Sequence, residues 1–385
     1  MTQSFRFMAR CFVSFLCLSG IFAKVYGEDA LVSLSEFSVP KRGDDLVVPV
    51  QVGEKSRLFK IQTGASVTAV HSDLSADLGA KVRIRRHSDG HDSFDLTYFQ
   101  PPVFQIGTVV WQGNEVALID LRELRRESGH SISGILGNDF LRNHGMVVDY
   151  DHGKLQIVES PVPSDAAKGT RKRLIFNEES QVFYCFNRIP GGTIDDMDRF
   201  LIDTGLGISV GLREDLFDSL VKSGGIGDVC ATTNTTPLQQ NTATAGVLKA
   251  FDFAGTKHTS LLCARMKFNV IGNQLLSRYK ITFDFPQRMM WLIPGERLTE
   301  SDRPNLAHLE VVRTESNAVL IDDIDINGLA AIAGLRERDV ILSVNEEKTV
   351  KLSLFEIRRK LSEPGLCRLT FERNGREKTV TLHLK

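Results

Sequence analysis

Arg199-Phe200-Leu201-Ile202-Asp203-Thr204-Gly205-Leu206-Gly207-Ile208-Ser209 is the stretch on which the fold turns. An apolar run delivers an acid, a hydroxyl and a glycine in that order, as a strand hands a side chain to a tight turn. The glycine lets the chain fold back where a Cβ would clash. An earlier stretch follows the same script: Arg57-Leu58-Phe59-Lys60-Ile61-Gln62-Thr63-Gly64-Ala65-Ser66. Each is followed by an apolar-apolar-Gly element, Ile135-Leu136-Gly137 and Ile271-Gly272 after Val270, with 73 positions from Gly64 to Gly137 and 67 from Gly205 to Gly272. Strand pairs then close each copy, Met146–Tyr150 with Lys154–Ile157, and Ile281–Phe285 with Met289–Ile293. A repeat this long is a duplicated lobe rather than a solenoid unit. Short runs rich in Val, Ile and Phe, bounded by Gly, Asp and Asn, read as strands, with one short helix after each apolar-apolar-Gly element. The expectation is a mainly β chain with lobes at 40–160 and 174–295. The stretch 161–173, with Pro163, Gly169 and the basic residues Lys168, Arg171, Lys172 and Arg173, reads as a solvated connector.

Over residues 40–295 these motifs resemble the pepsin-like and retropepsin-like aspartic proteases. The resemblance implies a bilobal pair of β-barrels facing each other across a peptide cleft. It implies Asp203 and Thr204 as catalytic residues of the second copy, with Gln62 and Thr63 at the matching positions of the first. It further implies substrate-side positions at Gly64, Gly205, Ser66 and Ser209. A covering hairpin would lie between Arg83 and Phe104, its Ser88-Asp89-Gly90 turn placing Asp89 and Gly90 over the cleft. His87 and His91 beside that turn read as polar loop-tip residues rather than metal ligands, and neither a metal nor a cofactor is expected.

Gln62 departs from the pattern. The chemistry needs two carboxyls sharing one proton, one activating water while the other protonates the carbonyl oxygen. An amide donates and accepts hydrogen bonds but does not exchange a proton near neutral pH. Losing one positioned proton-transfer partner costs on the order of 10²- to 10⁴-fold in rate. Two rescues are open. Association through the second lobe would bring Asp203 against Asp203 of another chain. A replacement acid near the first loop is the other, with Asp73, Asp77, Asp89 and Asp92 nearest in sequence.

The rest of the chain bounds the setting. At roughly 150 residues per domain, 385 residues with 42% hydrophobic content give two or three packed units. A net charge of −1, from 47 basic and 48 acidic residues, offers none of the excess that a nucleic-acid backbone selects. Arg6 and Arg10 precede an apolar run from Cys11 to Ala23, so residues 1–27 read as a secretory signal and the protein as exported, periplasmic or secreted. An uncleaved signal would leave it anchored to a membrane, although a run of about 20 Å falls short of the roughly 30 Å hydrocarbon core. Outside the signal lie Cys185, Cys230, Cys263 and Cys367; in an oxidising compartment Cys230 could pair with Cys263, while the other two read as free thiols.

After Pro294 a further module begins. Strand-like Leu309–Val312 and Ala318–Ile324, helical Ala330–Leu335, strand-like Asp339–Asn345, helical Leu354–Leu361 and closing strands Arg368–Arg373 and Lys378–Leu384 follow in order. That order resembles an α+β PDZ domain of the bacterial type over residues 304–385. The resemblance implies a groove for C-terminal peptide tails, with Leu306-Ala307-His308-Leu309 in the place of the carboxylate-binding loop but without its usual glycines. Two readings follow. In one, an exported aspartic-protease-like protein binds extended polypeptide between its lobes and hydrolyses it with Asp203. In the other, a catalytically dead scaffold keeps the peptide-binding cleft and recruits partners through the PDZ module.

Overall fold

A computed structural model describes residues 31–88, 93–164, 166–191, 197–235 and 240–385. The signal at 1–27 lies outside them, as do Asp89, Gly90, His91 and Asp92. The fold is mainly β and two-lobed, with an α+β module at the C-terminus.

The first lobe is built on a nine-stranded sheet and the second on an eight-stranded one. Alternation drives their formation. In Val47–Val52, for example, Val48, Val50 and Val52 turn inward while Pro49 and Gln51 turn outward. The duplication appears as the same pairing in both lobes. Lys55–Ile61 runs parallel to Ile132–Leu136, and Met197–Asp203 runs parallel to Val270–Gly272. Each pair is followed by a single helical turn, Asn138–Leu141 or Asn273–Leu276. The expected hairpin is also present, Lys81–Ser88 against Ser93–Phe99 at one edge of the first sheet.

A third, six-stranded sheet joins the lobes. At its centre Gly145–Asp149 of the first copy pairs antiparallel with Tyr279–Asp284 of the second, Met146 opposite Phe283. Two expectations change here. Ser33–Ser38 pairs with Lys154–Val158, so the first lobe starts before residue 40. Thr170–Arg173 pairs with Met289–Pro294, so the basic connector ends as an edge strand of this sheet rather than as solvated linker throughout. One buried cluster runs from Phe37 through both lobes to Leu292, so the lobes share a core.

Residues 304–385 have their own core, from Ala307 to Leu384. Their strands stand in the order Leu309–Arg313, Val319–Ile324, Val340–Val344, Gly365–Arg373, Arg376–Leu384, with helices Leu329–Ile332 and Leu354–Leu361. The second helix begins with a capping box, Ser353 and Glu356 each bonding the other's backbone N–H. All four cysteines outside the signal are free. The Cys230–Cys263 pairing is corrected: Gln240–Leu248 lies between their two strands, Cys230 is exposed and Cys263 is buried. Among the described residues no helix is long and apolar enough to cross a membrane.

Candidate active site between the lobes

Each parallel strand pair ends at the interlobe boundary, and the two strand-to-turn loops meet there. Thr63 and Thr204 are fully buried and lock the loops reciprocally. The Thr63 hydroxyl donates to the Ile202 carbonyl at 2.6 Å and accepts from the Thr204 N–H at 3.1 Å. The Thr204 hydroxyl donates to the Ile61 carbonyl at 3.1 Å and accepts from the Thr63 N–H at 3.2 Å. Four buried hydrogen bonds thus fix one loop against the other, each hydroxyl serving once as donor and once as acceptor.

Asparagines extend the crossing. Asn138 donates to the Thr63 carbonyl at 2.8 Å and to Gln181 of the second lobe at 3.2 Å. Its counterpart Asn273 donates to the Gly43 and Asp44 carbonyls of the first lobe and accepts from the Tyr150 hydroxyl at 2.6 Å.

Gln62 and Asp203 face each other on these loops, both half-buried. A Cβ built on Gly64 would fall 2.3 Å from the Asp203 carboxyl carbon, and one on Gly205 would fall 2.4 Å from the Gln62 amide carbon. The two glycines are therefore the floor on which the opposite lobe's polar side chain rests. The Gly205 N–H donates to Asp203 Oδ1 at 2.7 Å. Burial pushes the Asp203 carboxyl above the usual range. The Gly205 N–H, the Lys60 charge, the Gly64 N–H and the Gln62 amide all pull it back without cancelling the rise.

The site so assembled holds one titratable carboxyl and one amide. Asp203 can accept a proton from water or give one to a leaving nitrogen. Gln62 can hold a carbonyl oxygen through its N–H groups but cannot take over either proton step.

Ser66 is half-buried two residues beyond Gly64. Ser209 is fully buried, and its hydroxyl donates to Asp302 at 2.5 Å, so it serves the packing of the second lobe rather than the cleft. Asp73 is bonded by Arg125 at 2.9 Å on an exposed turn, and Asp77 is exposed beside a surface hollow shared with Gln100 and Gln112. Neither joins the loops, so neither replaces the missing acid. Asp89 and Asp92 fall outside the described residues.

Residues to which the sequence motifs assign no role stand beside the loops. Lys60, 3% exposed, places its Nζ 3.0 Å from the Gly205 carbonyl and 2.7 Å from Asp45 Oδ1. Next to Asp45, the buried Asp44 has its Oδ1 3.6 Å from His130 Nε2. The repeat itself carried a signal for Lys60, since the aligned position in the second copy is Leu201.

In the C-terminal module the loop Leu306–Leu309 is tied to the residues around it. The Ala307 N–H donates to Leu361 O and its carbonyl accepts from the Ala330 N–H, both at 3.2 Å. The His308 N–H reaches Asn305 O at 3.4 Å, and His308 carries a φ of 57°. Leu309 is buried and paired opposite Ile324. The Ala307 and His308 donors that a tail carboxylate would need are already bonded, so carboxylate capture by this loop is not supported.

The groove between the edge strand Leu309–Arg313 and helix Leu354–Leu361 faces a first-lobe helix, Arg122–Ser128. Arg358 donates to the Glu127 carbonyl at 2.7 Å, to Glu127 Oε2 at 3.0 Å and to the Val311 carbonyl at 2.8 Å. Arg126 adds an ion pair to Asp322 at 2.5 Å.

No family model and no curated protein sequence matches the chain. Solved structures do; one is the crystal structure of an aspartic proteinase from Irpex lacteus. It matches with 16% identity and a TM-score of 0.43 over 69% of this chain and 99% of that one.

Proposed function

We propose that the protein is an exported, aspartic-protease-like polypeptide-binding protein that holds an extended chain between its lobes, with Asp203 as the one surviving acid. The observation that carries the reading is the pairing of Gln62 with Asp203 on loops locked by Thr63 and Thr204. A cleft floor of this construction presents hydrogen-bonding groups to a peptide backbone. With an amide in place of one carboxyl, acid and base cannot alternate between two groups, so hydrolysis is slowed on the order of 10²- to 10⁴-fold relative to a two-acid site. The order of strands and helices in residues 304–385 supports a PDZ-type module, which in this reading positions the cleft or its partners rather than capturing tail carboxylates.

The test is a paired assay of the mature protein on an unstructured polypeptide from pH 3 to 8, measuring binding and cleavage. Wild type should bind with little or no cleavage, and Gln62→Asp should gain cleavage. Cleavage by wild type that disappears in Asp203→Asn would establish hydrolysis through Asp203 alone. Absence of binding by wild type, or of any gain in Gln62→Asp, would remove the cleft reading.

A further inference from the structure

The two copies of the repeat differ at two nearby positions. The second reads Leu201-Ile202-Asp203 and the first Lys60-Ile61-Gln62. Leu201, 5% exposed, packs among Val182 and Val270 as an ordinary core residue. Lys60 occupies the matching strand position at the same depth. A lysine so deeply buried is costly unless its ammonium is paired, and a leucine does the packing job in the other copy. What distinguishes Lys60 is therefore what its Nζ touches: Asp45 of its own lobe and the Gly205 carbonyl of the opposite one.

That carbonyl belongs to the turn whose N–H holds Asp203 Oδ1. Where the second copy has an acid the first has an amide, and where the second has an apolar residue two positions earlier the first has a cation. A pair of acids needs a shared proton to relieve two like charges. A lone acid suffers no such repulsion; its cost is burial, which a fixed cation nearby offsets in part.

We propose that Lys60 is a positioning residue for Asp203, its ammonium pinning the Gly205 turn across the lobe boundary and setting a fixed positive charge on the turn that holds the single carboxyl. The charged groups around it are Asp45, bonded to Lys60, and Asp44 with His130 behind them; Asp203 faces the neutral Gln62 and is joined to Lys60 through the Gly205 turn. The direction is consistent: the Lys60 charge opposes the upward push of burial on the Asp203 carboxyl. The proposal rests on Asp203 being the surviving acid. Its test reads that carboxyl directly and does not depend on whether polypeptide binds or is cleaved.

The experiment is a carbon-13 NMR titration of aspartate carboxyls in the full mature chain, with Asp203 assigned by its loss in Asp203→Asn. Lys60→Leu copies the packing of Leu201 and should fold. Its Asp203 midpoint should rise, by up to about one unit, as the charge that opposes burial is removed. Lys60→Arg should stay near wild type. Lys60→Leu combined with Gln62→Asp restores the second-copy pattern and should show two coupled carboxyl midpoints. Should Lys60→Leu not fold, the Lys60 nitrogen signal in wild type serves instead, and it should step at the Asp203 midpoint. An unchanged midpoint in folded Lys60→Leu, or no such step in wild type, overturns the proposal.

Discussion

A methyl group at Gly64 would land 2.3 Å from both the carboxyl carbon and Oδ2 of Asp203, a short side chain already held by the Gly205 N–H. A methyl at Gly205 would meet Gln62, whose longer side chain can swing aside. Gly64→Ala should therefore destabilise by about 1–3 kcal/mol and displace Asp203, whereas Gly205→Ala should cost less, as read by urea unfolding of the two variants side by side. Equal costs would show that the Asp203 carboxyl is not fixed. At this scale the sequence was informative because it was written twice: the repeat made Gln62 and Asp203, and Thr63 and Thr204, equivalent positions, and the resemblance to aspartic proteases implied that they face each other. Lys60 escaped because a lysine in an alternating strand reads as solvent-facing. Its burial follows from the end of strand Lys55–Ile61 meeting Asp45 and the Gly205 turn of the other lobe, a tertiary fact, although alignment with Leu201 contained the hint.

Elements lock the site through backbone groups, and here two expectations can be checked. Thr204→Val removes a hydroxyl that donates to the Ile61 carbonyl and accepts from the Thr63 N–H, leaving both unpaired in a dry interior. A loss of about 1–3 kcal/mol is expected, with Thr204→Ser largely restoring it, by thermal unfolding. The second concerns acid. His258, 2% exposed and 2.6 Å from the Tyr279 hydroxyl, is pulled down to about 4 by burial and then by the Arg278 charge, from an ordinary value of 6.5. The unfolded chain takes up the proton first, so this stability is fully present above about pH 6.5 and is lost as pH falls toward 4. The loss across that window is about 3 kcal/mol. His258→Gln should flatten the decline, and an unchanged pH profile would show that His258 is protonated without penalty in the fold. Strand runs and the short turns after Gly137 and Gly272 were legible from apolar spacing. The edge strand Thr170–Arg173 was not, because Lys and Arg on a sheet edge are what keep edges from pairing with other chains, and the same residues signal a linker.

The arrangement of the whole molecule turns on how residues 304–385 meet the lobes. Their own core and capped helix mark them as a unit that the sequence could delimit, but nothing in the sequence places helix Arg122–Ser128 against their groove. The contact is specific. Arg358 spends three hydrogen bonds bridging Glu127 of the first lobe and the Val311 carbonyl of the edge strand, where an added peptide strand would otherwise bond. Gly129, with a φ of 72° just after the first-lobe helix, leaves Leu354 the room in which a Cβ would lie 2.9 Å from its Cγ. A peptide entering this groove must displace the chain's own helix, so its affinity is lowered by the cost of undocking. Arg358→Ala removes the bridge and leaves Glu127 without its cation. At about 1.5–3 kcal/mol for hydrogen bonds to a charged group, it should raise the undocked population roughly 10- to 100-fold. Small-angle scattering should then report a larger radius of gyration, and proteolysis near residues 303–305 should quicken. At this groove, as distinct from the interlobe cleft, an extended peptide should bind the variant more tightly than wild type. Identical scattering and cleavage in Arg358→Ala and wild type would mean that the module is held by its apolar contacts, with Leu354 against Gly129 the next position to break.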